Sequence, residues 1–202
     1  MNCSVLINAE GEHELSGGTA DAALPILVKR MLGEDIDLRP TSKRIRGLSG
    51  HMHPGKGNPL GRKFVDIVRW AERQGYDGVV ILIDQDDDPS RHQSASFAQE
   101  TTFTRLPRAI GIAVKSFDAW FLADHSALSQ VLGTAIQMQS DPERHNDPKT
   151  ACQNLTSLAA KELRLRDLYS YLAAVADLNL MQKRCPTGFA VFLDRVTGLF
   201  RT

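Results

Sequence analysis

The chain has 202 residues, no net formal charge, 42% hydrophobic residues and 24% charged residues, which is ordinary for a soluble globular protein of one domain. No apolar run approaches the ~20 residues that a membrane span needs, and the first residues lack the basic start and long apolar core of a signal peptide. The three cysteines, Cys3, Cys152 and Cys185, form no Cys-x-x-Cys pair, which argues against a zinc site built on them and is typical of the reducing cytoplasm.

Strand-like and helix-like segments alternate from the start of the chain to about residue 125. The strand-like segments are short, apolar and rich in β-branched residues, and the helix-like segments have apolar residues at helical spacing. The predicted strands are 4–8, 36–39, 78–84 and 109–114. The predicted helices are 20–32, 60–74, 90–101 and 117–123. This alternation indicates parallel strands joined by crossover helices, which is an α/β fold with helices flanking a parallel sheet.

The last third of the chain contains helix signals and no clear strand. The predicted helices there are 150–161, 166–176 and 189–200. We therefore expect an α/β core over residues 1–125 and a helical region over residues 126–202 that packs on it, as a single compact domain. The side chains expected in the core of these segments are those of Trp120, Phe121, Leu122, Phe189, Phe192, Leu193 and Val196.

An acidic run follows the most apolar of the predicted strands. Residues 79–83 are consecutive apolar residues, which predicts a strand buried on both faces. The aspartates that follow are Asp84, Asp86, Asp87 and Asp88. Buried like charges need a compensating cation, and in an extended backbone Asp84 and Asp86 would point the same way and could hold a divalent metal. The alternative is a solvated acidic turn, because the run ends in Asp-Pro, which is a turn signal.

Two further acids stand where other predicted strands end. Glu10 follows the first strand, and Asp118 follows the strand that ends near residue 114. Because ligands of open parallel sheets lie beyond the carboxyl ends of the strands, these acids can converge with Asp84 and Asp86 on one edge. Such carboxylates suit Mg²⁺ or Mn²⁺, which prefer oxygen ligands. The alternatives are a turn residue for Glu10 and a helix-capping residue for Asp118.

Basic residues cluster just upstream of the acidic strand end. Eight lysines and arginines lie between residues 39 and 69, against Asp66 alone. A basic segment beside an acidic one is what a metal-dependent enzyme acting on a polyanion needs. The candidate phosphate contacts are Arg44, Arg46 and Lys56 in a long loop, together with Lys115 and Lys149. Each of them could also be an ordinary solvated residue.

Several segments together resemble the Toprim domain, which is shared by topoisomerases, primases, certain small ribonucleases and OLD-family nucleases. The resemblance lies in a strand that ends Glu10-Gly11, followed by a helix and by a strand that ends Asp84-Gln85-Asp86. Over nearly its full length the chain is also similar to a family of stand-alone bacterial Toprim-like proteins. The segments that carry this likeness are 9–14, 24–27, 83–87, 117–124, 147–149 and 185–189.

The resemblance implies a Toprim-like, that is Rossmann-like, sheet with a metal site. In Toprim proteins the glutamate that matches Glu10 is a general acid/base or a metal ligand, and the aspartates that match Asp84 and Asp86 hold Mg²⁺. The related sequences carry Glu where this chain has Asp118, so this shorter side chain would need a bridging water to reach the metal.

The expected activity is Mg²⁺- or Mn²⁺-dependent phosphodiester hydrolysis by a nuclease. Asp84 and Asp86 would hold the metal, and Glu10 would ligate it or take the proton of the attacking water. Lys149 or Lys115 would neutralise charge that develops on the phosphate. DNA, RNA and small nucleotides stay open as substrates, and a homodimer stays open as the assembly.

The alternative is a non-catalytic module that binds a nucleotide or a separate partner ATPase. The chain has no Gly-x-x-x-x-Gly-Lys-[Ser/Thr] loop, so that an ATPase would have to be another protein. Topoisomerase chemistry is not expected, because the patterns around Tyr76, Tyr169 and Tyr171 indicate packing. The resemblance further implies a role in defence against phage or mobile DNA.

Overall fold

Four parallel strands form the sheet at the centre of the molecule. In this computed structural model, the described residues are 3–10, 15, 22–33, 35–41, 59–138, 141–159 and 162–201. The strands are β1 (Cys3–Ala9), β2 (Ile36–Thr41), β3 (Gly78–Asp84) and β4 (Arg108–Ala113). Their order is β2-β1-β3-β4 and every neighbouring pair is parallel. The predicted α/β class with a parallel sheet flanked by helices is confirmed, and the sheet is consistent with a Rossmann-like fold.

Helices cover the sheet and make up the carboxyl region. The helices are α1 (Ala23–Leu32), α2 (Pro59–Arg73), α3 (Ser90–Glu100), α4 (Asp118–Phe121), α5 (His125–Leu132), α6 (Pro148–Thr156), α7 (Leu165–Val175), α8 (Leu178–Arg184) and α9 (Phe189–Thr197). Helices α5 and α8 were not predicted, and each begins after an aspartate whose side chain accepts backbone N–H bonds. Those two aspartates were the available sequence signal. Among the described residues, no helix is both long enough and apolar enough to cross a membrane.

Strand β3 is buried on both faces, which explains its unbroken apolar sequence. One face belongs to the cluster with α2 and α3, and carries Val79, Ile81 and Ile83. The other face, with Val80 and Leu82, belongs to the cluster that holds α1 and the carboxyl-terminal helices. The alternation follows the two-residue period of a strand, so each side chain of the run has a hydrophobic layer to enter.

The carboxyl-terminal helices pack on the α/β layer through aromatic side chains. Helix α9 lies on β4, and helix α7 lies on α1. The Trp120 ring centroid lies 5.1 Å from that of Phe189 and 5.4 Å from that of Phe192. The predicted core residues are buried, except that Leu193 is only partly so. The packing role expected of Tyr171 is wrong, because this residue is 56% exposed.

The strand order places a crevice between the ends of β1 and β3. The chain leaves β1 to form β2 on one side, and then crosses to form β3 on the other side. In open α/β sheets such a reversal of direction separates the loops at the carboxyl ends of the two strands and makes a ligand site. Glu10 follows β1 and the acidic run follows β3, so that the topology brings these two predicted features to the same crevice.

Candidate functional site

Four residues meet at the carboxyl ends of β1 and β3, and we call them the acidic edge: Glu10, Asp84, Asp86 and Arg91. The two strand ends are joined directly, because the Glu10 amide donates to the Leu82 carbonyl at 3.3 Å. Arg91, in the first turn of α3, places Nη1 at the centre of the group. That atom lies 2.9 Å from Glu10 Oε2, 3.0 Å from Asp86 Oδ2 and 2.6 Å from the Asp84 carbonyl oxygen.

The acids of this edge stay accessible to solvent, whereas the arginine is largely enclosed. The side chains of Glu10 and Asp86 are 42% and 56% exposed, and that of Arg91 is 19% exposed. An arginine therefore supplies the compensating cation that the acidic run was predicted to need. Sequence analysis missed it, although a basic residue in the first helical turn after an acidic run was a visible signal.

A tight turn, and not an extended strand, carries Asp86. The strand ends at Asp84, and the Asp88 amide donates to the Gln85 carbonyl at 2.9 Å. The φ angles of Asp86 and Asp87 are +48° and +58°, the signature of a turn with two left-handed central residues. The expectation that Asp84 and Asp86 point the same way along an extended backbone is therefore wrong. The turn nevertheless returns the Asp86 carboxylate towards Glu10.

Lys115, two residues after the end of β4, completes this turn. Its carbonyl accepts from the Asp86 amide at 3.4 Å, and its Nζ lies 2.6 Å from Asp87 Oδ1. Lys115 also has a positive φ, +61°, so that all three non-glycine residues with positive φ in the described part of the chain lie here. Asp adopts this conformation readily in such turns, whereas for Lys115 it costs about 1–3 kcal/mol, and strain of that kind concentrates at functional sites. This observation points to a function for this end of the sheet.

Asp84 links the acidic edge to the start of α4. Its carbonyl faces Arg91, while its carboxylate Oδ1 accepts from the Phe117 amide at 2.7 Å. Asp84 therefore orients the segment after β4 as well as bordering the cation position. The Asp84 carbonyl oxygen faces the position shared with Glu10 and Asp86, and the role of its carboxylate as a metal ligand stays a prediction.

Asp118 lies apart from the acidic edge in its contacts. It is buried, with 7% of its surface exposed, and its Oδ1 accepts a hydrogen bond from the Tyr169 hydroxyl. The Cys152 thiol approaches the Asp118 carbonyl at 3.6 Å. The structure therefore favours a packing role for this side chain, and its role as a metal ligand stays a prediction.

The predicted phosphate contacts fall in different places. Lys149 is exposed in the first turn of α6, where Asp147 Oδ1 accepts from the Thr150 amide at 2.9 Å. The hydrogen bond to Thr150 lowers the pKa of Asp147, and the charge of Lys149 acts in the same direction. Lys115 lies beside the acidic edge, as described above. Arg44, Arg46 and Lys56 lie outside the described residues.

A turn residue fixes the helix that carries Arg91. Asp88 Oδ1 accepts from the Ser90 amide at 3.0 Å, and its carbonyl accepts from the Arg91 amide at 3.1 Å. The bond to Ser90 lowers the pKa of Asp88, and the positive charge of Arg91 lowers it further. Asp88 therefore stays ionised and holds the first turn of α3. The backbone of Arg91 is thereby fixed in the position from which its side chain reaches the acidic edge.

The donor atoms at the acidic edge fit a hard divalent cation. Two carboxylate oxygens and one carbonyl oxygen surround a single position, and oxygen ligands of this kind are what Mg²⁺ and Mn²⁺ take. Within the described ranges, no group of three or more Asp, Glu, His or Cys side chains is placed to hold a metal ion. The third donor here is a main-chain oxygen, and water would complete the shell.

Comparison of the chain with models of protein families, with curated proteins and with solved structures finds no match. A function is therefore inferred from the residues of the acidic edge and from their place in the sheet. The two features that bear most on it are the oxygen atoms around Arg91 Nη1 and the left-handed turn that holds Asp86.

Proposed function

We propose that this protein is a Mg²⁺- or Mn²⁺-dependent phosphodiesterase, a nuclease that hydrolyses DNA or RNA. One observation carries the proposal: Glu10 and Asp86, from the ends of adjacent strands, share a single cationic atom with the Asp84 carbonyl. This group lies at the crevice where the strand order reverses, which is the usual ligand site of such sheets. The Toprim resemblance stated above supports the same site, since it assigns Glu10, Asp84 and Asp86 to metal chemistry.

Each residue of the acidic edge would have a separate role in phosphodiester hydrolysis. A bound metal would activate a water molecule and offset negative charge on the phosphate. Asp86 and the Asp84 carbonyl would hold it, and Glu10 would hold it or accept the proton of the attacking water. Because the Glu10 side chain is 42% exposed, it is accessible to both water and substrate.

Positive charges around the edge would hold the polyanion. Lys115 is anchored to the acidic turn through Asp87, so its ammonium group stays close to the site. Lys149 is exposed at the start of a helix, where backbone N–H groups also favour phosphate. Arg44, Arg46 and Lys56 are proposed as phosphate contacts from the sequence alone, in the basic segment.

The test combines metal binding with cleavage. Calorimetric titration with Mg²⁺ and Mn²⁺ is followed by incubation with single- and double-stranded DNA and with RNA, for the wild type, Glu10→Gln and Asp86→Asn. Both variants should lose metal-dependent cleavage, because each removes a charged oxygen from the shared position. The matched control is Asp87→Asn, next to Asp86, because Asp87 pairs with Lys115 and is 80% exposed.

The control variant should bind metal as the wild type does, and all variants should show the circular-dichroism melting curve of a folded protein. If the wild type binds neither metal, with or without a short oligonucleotide, the proposal is wrong. Cleavage that persists in both Glu10→Gln and Asp86→Asn would place the chemistry elsewhere in the chain.

The second candidate function is a non-catalytic module that binds a nucleotide or a separate ATPase. The observation that favours it is that Arg91 already pairs with both Glu10 and Asp86. In that case Asp86→Asn would leave nucleotide or partner binding intact and no variant would affect cleavage, since there would be none. A homodimer and a role in defence against phage or mobile DNA belong to the nuclease proposal, and the defence role rests on the family resemblance alone.

A further inference from the structure

One Arg91 nitrogen has more oxygen neighbours than hydrogens. Nη1 has three oxygens within 3.0 Å: Glu10 Oε2, Asp86 Oδ2 and the carbonyl of Asp84. A terminal guanidinium nitrogen carries only two hydrogens, so it cannot direct a separate hydrogen at each of three acceptors. The three oxygens therefore converge on one position, which a single divalent cation could also take.

From this we infer that Arg91 and a divalent metal compete for the same oxygens, and that Arg91 must leave before the metal can bind. The inference rests on the proposed function, because it concerns the metal of that site. Arg91 is then a tethered occupant of the cation position and sets the metal concentration at which the enzyme becomes active.

The charge balance favours such an exchange. With Arg91 in place, one positive charge faces the two carboxylates of Glu10 and Asp86. A divalent ion would match both charges and approach its oxygens to about 2.0–2.1 Å for Mg²⁺, closer than the 2.6 Å to 3.0 Å that Nη1 now keeps. Both cations cannot occupy one position, so binding of either excludes the other.

The exchange requires side-chain movements: Arg91 leaves, and the carboxylates of Glu10 and Asp86 move in towards the metal. The backbone of Arg91 is fixed in the first turn of α3 by its bond to the Asp88 carbonyl. The carboxylates of Glu10 and Asp86 are exposed, so metal and water can reach the oxygens from solvent. Only molecules in which Arg91 is displaced can bind metal. The apparent metal affinity is therefore lower than the intrinsic affinity by the fraction of molecules in that state.

The experiment is calorimetric titration of the full chain with Mn²⁺ and Mg²⁺, comparing the wild type with Arg91→Gln. Removing the competitor should tighten metal binding by about tenfold or more. The matched control is Lys115→Gln, which deletes a positive charge beside the same turn but pairs with Asp87 instead. That control reports the general effect of one lost charge, and should change the affinity by no more than about threefold at moderate salt.

Thermal unfolding gives a second readout. Without metal, Arg91→Gln should unfold at a lower temperature than the wild type, because Glu10 and Asp86 lose their cation. Saturating Mn²⁺ should raise its unfolding temperature more than that of the wild type, since tighter binding stabilises more. If Arg91 had only a structural role, Arg91→Gln would lower the unfolding temperature by the same amount without metal and with saturating Mn²⁺.

The possible results distinguish failure of the Arg91–metal competition from failure of the proposed nuclease function. Metal binding to Arg91→Gln that equals the Lys115→Gln control, or is weaker than in the wild type, would overturn the competition while leaving the nuclease proposal in place. If the wild type binds neither metal, with or without a short oligonucleotide, the proposed function fails, and the inference that rests on it fails as well. Should Arg91→Gln not fold, Arg91→Met replaces it, and a failure of both to fold with Mn²⁺ present would also overturn the inference.

Discussion

The Tyr169 hydroxyl donates a hydrogen bond to the buried carboxylate of Asp118, and this contact ties helix α7 to the start of α4. Tyr169 also stacks on Phe121, with ring centroids 5.2 Å apart and planes at 14°. Burial, with the nearby Cys152 and Asp118, raises the pKa of Tyr169, so that the hydroxyl keeps its proton. The hydrogen bond between Tyr169 and Asp118 therefore connects the sheet layer to the carboxyl-terminal helices.

Tyr169→Phe should destabilise the fold without weakening metal binding. The change leaves a buried Asp118 oxygen without its donor, which costs about 1–3 kcal/mol, while the aromatic stack survives. Urea denaturation followed by circular dichroism measures the loss. The control is Tyr171→Phe in the same helix, which should be neutral because Tyr171 is 56% exposed. A loss of Mn²⁺ affinity in Tyr169→Phe would instead support Asp118 as a metal ligand.

Gly111→Ala should destabilise the contact between β4 and α9. A methyl group at this position would overlap the ring of Phe192 and press on Leu82 as well. Adding a carbon atom to a filled core costs about 1–3 kcal/mol, and denaturant unfolding would report it. The double variant Gly111→Ala/Phe192→Leu should recover part of the loss, because the smaller side chain removes the overlap. No recovery would indicate that the strand itself, and not the helix contact, requires glycine.

The parts of the fold that sequence could predict are those set by local patterns. Strand β3 has its predicted bounds because its apolar run needs two buried faces. The turn at Asp86 and Asp87 was missed because a run of aspartates does not indicate by itself that two successive residues have positive φ. The position of Arg91 just after the acidic run was a local signal, but its contact with Glu10 could not be predicted because it spans 81 positions of sequence. Contacts of that kind follow from the strand order and not from any single segment.

The thiols of Cys152 and Cys185 should resist alkylation in the folded protein. Burial raises the pKa of each thiol to about 12, well above its ordinary value of 9.0, and only the thiolate reacts. At pH 8, iodoacetamide should therefore modify both residues in urea and neither in buffer, as mass spectrometry of the digested protein would show. Rapid labelling of either residue under native conditions would contradict the burial described above.

The same pKa values predict how stability depends on alkaline pH. Because the folded pKa lies above the unfolded one, each thiol stabilises the fold fully below pH 9.0, and the contribution falls as pH rises towards about 12. Cys152→Ala should make the unfolding midpoint less sensitive to pH in that window, although it lowers stability overall by leaving a small cavity. An unchanged pH dependence would show that other groups determine it.

Asp124 joins two helices that sequence analysis did not predict. Its Oδ1 accepts from the amides of Ser126 and Ala127 at 3.0 Å and 2.9 Å, which caps α5. Its Oδ2 accepts from the Asp177 amide at 2.9 Å, just before α8. Asp124 is 5% exposed, so little water reaches its carboxylate, and both oxygens are used for bonds within the protein.

Asp124→Ala should therefore cost more than the loss of an ordinary helix cap. A cap alone is worth about 0.5–2 kcal/mol, and the bond from the Asp177 amide is a further part-buried hydrogen bond, worth about 0.5–1.5 kcal/mol. The comparison is Asp177→Ala, which removes only the cap of α8 at the amides of Asn179 and Leu180. Asp124→Asn should fall between the two, because its amide can cap α5 but faces the Asp177 amide with a second donor. Equal unfolding free energies for Asp124→Ala and Asp177→Ala would show that the bridge between the helices adds nothing beyond a cap.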